Sequence, residues 1–334
     1  METILLFPLF IAFLIAVIAL PLWIKRARKA GLEGSDMNKY KKHKVAEAGG
    51  IIVISSFIIG LLSYIAIRTF YFESVENLIE IFALLSSIIM LSFIGFTDDI
   101  LGWKIGLRRR VRVILCLLAS IPLIVINAGQ STVSLPFVGI VNLGLLYPLV
   151  LIPLGIAGAS IVFNFVAGFN GLEAGQGILI LGGLSIAAFF TGNGWLSLIG
   201  LCMVLALLAF WIYNKYPAKV FPGDVMTYPV GGLIAIMAIL GNMEKIALFF
   251  FIPYIIEFVL KIRGGLVKES FGKPKKDGSL ELRYNKIYGL EHFAIWFLKK
   301  FKKKVYEKDV VWFIHFIQIA VIVLGFIIFR NSIF

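Results

Sequence analysis

Ten apolar runs recur along the chain, at 3–24, 49–67, 77–96, 113–128, 146–166, 177–192, 196–213, 225–241, 245–262 and 311–330. Each approaches the ~20 residues an α-helix needs to cross hydrocarbon. Hydrophobic residues make up 60% of the 334, where a soluble domain holds about 45–50%. The pattern predicts an all-α polytopic membrane protein of about ten transmembrane helices, read as one integral unit over 1–334. The run at 113–128 is the shortest, and only Gly192, Asn193 and Gly194 divide the stretch 177–213. The first run is long enough to span and no small-residue cleavage site follows it, so it reads as a helix rather than a removable leader.

Charge placement orients these helices. The loops 25–48, 97–112, 214–224 and 263–310, with Lys261 at the edge of the last, hold 29 of the 32 Lys and Arg residues; Arg68, Lys245 and Arg330 alone fall on the other side. Positive residues collect on the cytoplasmic face, so both termini are expected outside. The same asymmetry accounts for the net charge of +13 as lipid-facing and cytoplasmic charge, with no nucleic-acid partner. One outer loop, 130–144, carries β-branched residues around Pro136 and Gly139 and predicts a small hairpin. The long basic loop 263–310 contains Phe293, Trp296, Phe297, Leu298 and Phe301 beside five lysines at 299–304, an amphipathic helix expected to lie in the bilayer interface. Cys116 and Cys202 sit inside apolar runs and read as packing residues; the three histidines are scattered and suggest no metal site.

Against this apolar background the stretch 164–177 stands out. It packs two asparagines, a glutamate, a glutamine and four glycines between two apolar runs. Such groups are costly in hydrocarbon unless they face protein, water or ligand, and glycines let backbone bend or a ligand approach. The stretch therefore reads as a helix break that builds a polar pocket; a plain turn is the alternative. Three more cytoplasmic segments carry unusual residues: 31–47, Asp98 and Asp99 at the end of the third run, and 214–224. Two adjacent carboxylates at a helix C-terminus oppose its dipole. Either a cation or pairing with Lys104 or the arginines at 108–112 offsets them. Asp224, alone, reads as an ordinary N-cap. Together, Asp98, Asp99, Asn164 and Asp224 fall at helix boundaries on one face. Hard oxygen donors in small number suit Mg²⁺ (with Mn²⁺ as a substitute), which keeps waters and phosphate oxygens as its other ligands. A metal and basic residues at a membrane surface point to phosphoryl transfer involving a lipid.

These segments resemble the polyprenyl-phosphate N-acetylhexosamine-1-phosphate transferases, and most of all the branch that uses UDP-GlcNAc and dolichyl phosphate. The matching pieces are Gly-Leu-x-Gly-x-Asp-x-Asn-Lys at 31–39, Phe-x-Asp-Asp at 96–99, Asn-x-x-Ala-Gly-x-Asn-Gly-Leu-Glu-Ala-Gly-Gln at 164–176 and Tyr-Pro-x-x-Val-Phe-x-Gly-Asp at 216–224, with 278–286 following the same branch. The resemblance implies transfer of GlcNAc-1-phosphate from UDP-GlcNAc to a polyprenyl or dolichyl phosphate with release of UMP, the first step of lipid-linked oligosaccharide assembly for protein glycosylation. It implies Asn164 and Asp224 as metal ligands, with Asp98 and Asp99 beside them as base or nucleophile. It implies Gly168, Asn170 and Phe221 as the uracil pocket, Met37, Lys39 and Glu47 near the nucleotide, and Glu173 shaping the site. Two departures stand out. Arg112 replaces a lysine, and a guanidinium binds phosphate but is not readily a base. The segment 269–277 has no histidine, leaving Lys273, Lys275 and Lys276 to meet a diphosphate. Another UDP-N-acetylhexosamine, or undecaprenyl phosphate in envelope glycan synthesis, is the alternative within the class. A transporter would show paired midplane breaks and internal repeats, and a CDP-alcohol phosphotransferase an Asp-Gly…Asp…Asp series; this chain has neither. The expected location is a multi-pass membrane, the plasma membrane in a prokaryote, with the site facing the cytoplasm. The sequence leaves a homodimer open.

Overall fold

The computed structural model describes residues 3–102, 105–135 and 139–333. In chain order its elements are α1 (Phe7–Lys29), a hairpin of β1 (Glu33–Ser35) and β2 (Lys44–Ala46), α2 (Gly50–Phe70), α3 (Leu78–Leu101), α4 (Arg109–Leu118) and α5 (Ile121–Val125). A second hairpin of β3 (Thr132–Leu135) and β4 (Gly139–Asn142) follows, then α6 (Ile152–Phe163), entered through a π turn at Tyr147–Leu151. Next come α7 (Leu172–Phe190), α8 (Gly194–Asn214), α9 (Asp224–Leu240), α10 (Glu244–Phe250) and α11 (Ile252–Arg263). Then come a hairpin of β5 (Lys273–Pro274) and β6 (Leu280–Glu281), α12 (Leu290–Leu298), α13 (Glu307–Ile328) and a last helical turn at Arg330–Ile333.

Every one of the ten apolar runs is helical, but the runs are not alike. Among the described residues six helices are long and apolar enough to cross a membrane: α1, α2, α3, α7, α8 and α13. Two more, Tyr147–Phe163 and Asp224–Leu240, are apolar but shorter. The runs at 113–128 and 245–262 each break in two. Pro122 and Pro253 sit in the first turns of α5 and α11. A proline there lacks only a hydrogen bond the first turn never makes, whereas one turn further in it would cost the helix a bond and clash. Pattern counting alone misses such interruptions. Glycine and asparagine at 192–194 do divide α7 from α8, with Gly192 at φ +83° and Asn193 N–H donating to Ala188 O at 2.8 Å.

The short helix α9 is the axis of the molecule. Every residue from Val225 to Ile239 is buried, and α3 and α6 flank it. The approach is close because Gly95 of α3 has no side chain. A Cβ there would lie 2.2 Å from the Asp224 carbonyl oxygen, so any other residue would push the end of α3 away from the start of α9.

The outer hairpin forms as expected, in register Thr132 with Asn142; its turn, with Pro136, lies outside the described residues. The amphipathic helix is shorter than expected. It ends at Leu298, and the following lysines leave it for separate acids, Lys299 for Glu281, Lys302 for Asp309 and Lys304 for Asp277. Glu257 of α11 is buried and accepts the Leu290 N–H at 2.6 Å, capping α12.

Candidate active site

Many of the polar residues singled out in the sequence, Asp99, Asn164 and Asp224 among them, line one cleft of about 530 Å³, while Asp98 and Arg112 are not among its lining residues and reach it through Asp224. Its walls are the loop between α1 and α2, the C-terminal ends of α3 and α8, the break between α6 and α7, and the N-terminus of α9. The break is shorter than expected. α7 starts at Leu172 rather than at the apolar residue Ile178, so Glu173 and Gln176 are helical and buried. Gly168 at φ +102° and Gly171 at φ +85° turn the chain. Glu173 Oε1 accepts the Gly168 N–H at 2.9 Å and closes that turn.

Asp99 holds the entrance of α9. Its two carboxylate oxygens accept the backbone N–H groups of Asp224 at 2.8 Å and Val225 at 3.0 Å. It thus caps from a neighbouring helix the free donors at a helix N-terminus, where negative charge is favourable. Gly223 makes room for it, since a Cβ there would meet Asp99 Oδ2 at 2.3 Å. Asp98 points the other way. It accepts the Leu107 N–H and lies 3.3 Å from Arg112 Nη1. The same guanidinium nitrogen is 3.6 Å from Asp224 Oδ2 and donates to Tyr228 OH at 3.2 Å. Asn164, at the C-cap of α6, donates from Nδ2 to Asp224 Oδ1 at 2.9 Å.

Four side chains from three separated segments therefore meet, as the sequence implies. Asp98, Asp99 and Asp224 are three carboxylates, and among the described residues Arg112 is the only cation in ion-pair reach of them. No three His, Cys, Asp or Glu side chains form a ready metal cage among the described residues. The donor set does fit Mg²⁺. Amide orientation follows from the partner present; turned over, Asn164 would set its oxygen beside Asp224 Oδ1 at the same 2.9 Å. Neighbouring ligands on an octahedral Mg²⁺ with bonds of 2.0–2.1 Å stand about 3 Å apart.

The other expected residues divide into two groups. Met37, Glu47, Gly168, Asn170, Glu173 and Phe221 line the cleft. Phe221 is held by its backbone, its N–H donating to Ala46 O at 2.7 Å and its carbonyl accepting from Gly49 at 2.9 Å. Burial raises the Glu47 carboxyl above its ordinary range, against the lowering pull of Lys44. Lys39 does not reach the cleft wall: its ammonium is taken by Glu307 and, at 3.3 Å, by Asp36, and it lies over the Tyr216 ring. Lys273, Lys275 and Lys276 also stay outside. They are exposed on and beside the β5–β6 hairpin, where Lys275 pairs with Glu281.

Sequence reasoning gave no role to Asp36, Asn214 and Phe271, which stand on the cleft wall together with Lys42. Phe271 presses on the turn, since a Cβ on Gly168 would lie 2.5 Å from its Cε1. Asn38 ties these pieces together, donating to Gly168 O at 2.7 Å and accepting from Gly272 N at 3.0 Å. Asp36 and Asn38 belonged to a quoted motif; Phe271 had no local signal.

Comparison with known proteins bears on this cluster. A family model described as glycosyl transferase family 4 matches residues 81–242, which include Asp98, Asp99, Asn164 and Asp224. A putative UDP-N-acetylglucosamine–dolichyl-phosphate N-acetylglucosaminephosphotransferase of Saccharolobus solfataricus is 38% identical over 277 residues, covering 82% of this chain and 83% of that protein. The chain belongs to glycosyl transferase family 4. Within the family it is also similar to the enzyme named UDP-N-acetylglucosamine–dolichyl-phosphate N-acetylglucosaminephosphotransferase in Dictyostelium discoideum, at 32% identity over 70% of this chain and 65% of that one. A phospho-N-acetylmuramoyl-pentapeptide-transferase of Halalkalibacterium halodurans is 30% identical over 73% of this chain and 77% of its own. The family resemblance read from the four motifs is thus borne out.

Proposed function

We propose that the chain transfers GlcNAc-1-phosphate from UDP-GlcNAc to a dolichyl or related polyprenyl phosphate, releasing UMP. The observation that carries this reading is the meeting of Asp98, Asp99, Asn164, Asp224 and Arg112, three of which line a cleft between apolar helices. A phosphate oxygen of the acceptor attacks the β-phosphorus. The bond from that phosphorus to the bridging oxygen breaks, and UMP leaves with the oxygen. The acceptor phosphate is largely ionised near pH 7, so no base has to take a proton from it. Asp99, with both oxygens engaged by the α9 N-terminus, positions Asp224 rather than attacking. Arg112, fixed by Asp98 and Tyr228, meets phosphate oxygens as a two-pronged donor.

Asn164 and Asp224 are the residues that would hold a divalent ion. Bound there, Mg²⁺ supplies positive charge against the diphosphate and the departing UMP. Phe221 on one wall and the Gly168 turn backed by Phe271 supply apolar faces for the base, and Asn170 offers it an amide. The apolar helices, crossing ten times with both termini outside, would set this cleft at the cytoplasmic surface, where a lipid phosphate and a soluble nucleotide sugar can both arrive.

The direct test uses detergent-solubilised protein with Mg²⁺, labelled UDP-sugars and short polyprenyl phosphates. UMP release that needs both substrates, with UDP-GlcNAc preferred, is expected. No UMP release with any UDP-sugar would reject the reading.

A further inference from the structure

Two residues of the cleft wall, Asp36 and Asn170, belong to a closed ring of four residues from three segments. Asn170, between the two positive-φ glycines, donates its backbone N–H to Glu307 Oε1 at 2.8 Å and its side-chain Nδ2 to Asp36 Oδ2 at 3.0 Å. Lys39 joins the two acids, reaching Glu307 Oε2 and, at 3.3 Å, Asp36 Oδ2. Asp36, Asn170 and Glu307 are buried, with relative exposures of 4%, 4% and 2%. Glu307 opens α13, more than a hundred residues from the motif it supports, and the mechanism above gives it no role.

The chemistry of the ring fixes one thing that an asparagine alone leaves free. A carboxylate held against an ammonium accepts hydrogen bonds and donates none. Asp36 therefore compels Asn170 to present its NH₂ group to the ring. The carbonyl oxygen of the amide, which takes part in neither of these hydrogen bonds, is then what Asn170 offers to the cleft it lines. A fixed acceptor there matches the N3–H donor of a uracil imide. It opposes the bare N3 of cytosine, which is itself an acceptor. We infer that Asp36 and Glu307 are positioning residues which lock the Asn170 amide with its oxygen toward the cleft, and so select a nucleotide whose base carries an imide N–H over one whose base does not. This inference rests on the UDP-sugar reading above and adds the source of its base selectivity.

The test is calorimetric binding of UMP and of CMP to the full-length protein in detergent with Mg²⁺, backed by KM and kcat for UDP-GlcNAc. Asp36→Asn replaces an obligate acceptor by a group that can donate or accept, so Asn170 can turn. The preference for UMP over CMP is expected to fall about tenfold, the scale of one hydrogen bond set right or wrong, and KM should move more than kcat. Glu307→Gln retains an oxygen for the Asn170 N–H and should keep most of the preference, while Glu307→Ala should lose it. A role in folding alone would lower the yield of monodisperse protein and leave the UMP:CMP ratio of the folded fraction unchanged, and an unchanged ratio in both Asp36→Asn and Glu307→Ala overturns the inference. A wild-type protein that binds UMP and CMP alike also overturns it while sparing the transfer reaction. A wild-type protein that binds neither nucleotide rejects the UDP-sugar reading itself, and this inference with it.

Discussion

Asp224 receives three distinct supports: the Asn164 amide on one oxygen, the Arg112 guanidinium near the other, and Asp99 gripping the backbone N–H of the same residue. That much local structure around one carboxylate implies that its position matters more than its charge alone. Asp224→Ala, or Asn164→Ala, is expected to lower turnover by at least about 10²-fold, the scale of losing one electrostatic contact made in the transition state. The protein should still insert and purify as a monodisperse species. Activity near wild type in either variant would remove the metal assignment. Phe221 is a different case because its backbone, not its ring, is tied into the fold. Phe221→Ala should therefore leave the loop in place and cost only the stacking surface, worth about 1–3 kcal/mol per base. A rise in KM for the nucleotide sugar of about tenfold, with kcat changed less, is the expected result; an unchanged KM would count against stacking. The acids and amides that make this site were legible in the sequence because polar groups at helix ends are rare in an apolar chain. Phe271 was not, because an aromatic residue in a basic loop carries no sign of the glycine it will press against.

At the level of elements, the loop between α11 and α13 is held down by α12, and α12 by His292. The His292 ring is buried. Its Nδ1 accepts the Tyr288 N–H at 3.4 Å, and its Nε2 stands 3.3 Å from Phe271 O, so the neutral tautomer with the proton on Nε2 satisfies both partners. Burial lowers its pKa to about 4, helped by Lys261 and Arg283, against the opposing pull of the Phe271 carbonyl. The sign follows from linkage. Between pH 6.5 and 4 the unfolded chain binds a proton at this residue that the folded chain refuses, so stability is lost as pH falls through that window. Tm should drop on going from pH 7 to pH 4.5, by an amount corresponding to on the order of 2 kcal/mol at this one group. His292→Gln, which can accept and donate at similar positions without titrating, should flatten the Tm curve over the same range. An equal drop in that variant would assign the loss to other groups. The same element shows where sequence patterning stops. The apolar face of α12 was visible, but its end at Leu298 was not, because the lysines that follow are drawn off by acids on β6, on α13 and in the β5–β6 turn. The early start of α7 was hidden for a related reason. Glu173 and Gln176 look like loop residues until the Gly168 N–H is found on the carboxylate of the first and the His315 ring beside the amide nitrogen of the second.

Over the whole molecule, the cleft and the basic loops lie at the same ends of the helices, while the outer hairpin, the acidic residues Glu73 and Glu76 and the first turn of α3 with Glu80 lie at the opposite ends. If that end faces the cytoplasm, setting positive charges against anionic lipid there would be worth about 1 kcal/mol for each residue near the surface, and the opposite orientation would forfeit that sum. The two broken runs decide whether the count of crossings comes out even. If α4 with α5, and α10 with α11, each complete one crossing, Ser35 and Lys276 share a side with the cleft and Val75 does not. If either pair is a re-entrant turn instead, Ser35 and Lys276 part company. Single cysteines answer this, placed at the exposed positions 35, 75 and 276 in a background where the buried Cys116 and Cys202 are replaced by alanine. A membrane-impermeant maleimide applied to intact cells should label Val75→Cys only, and Ser35→Cys and Lys276→Cys should become reactive after the membrane is opened. Labelling of Lys276→Cys from outside, with Ser35→Cys still protected, would mean that one broken run turns back, and the basic loop with Phe271 could not then reach the cleft it helps to wall.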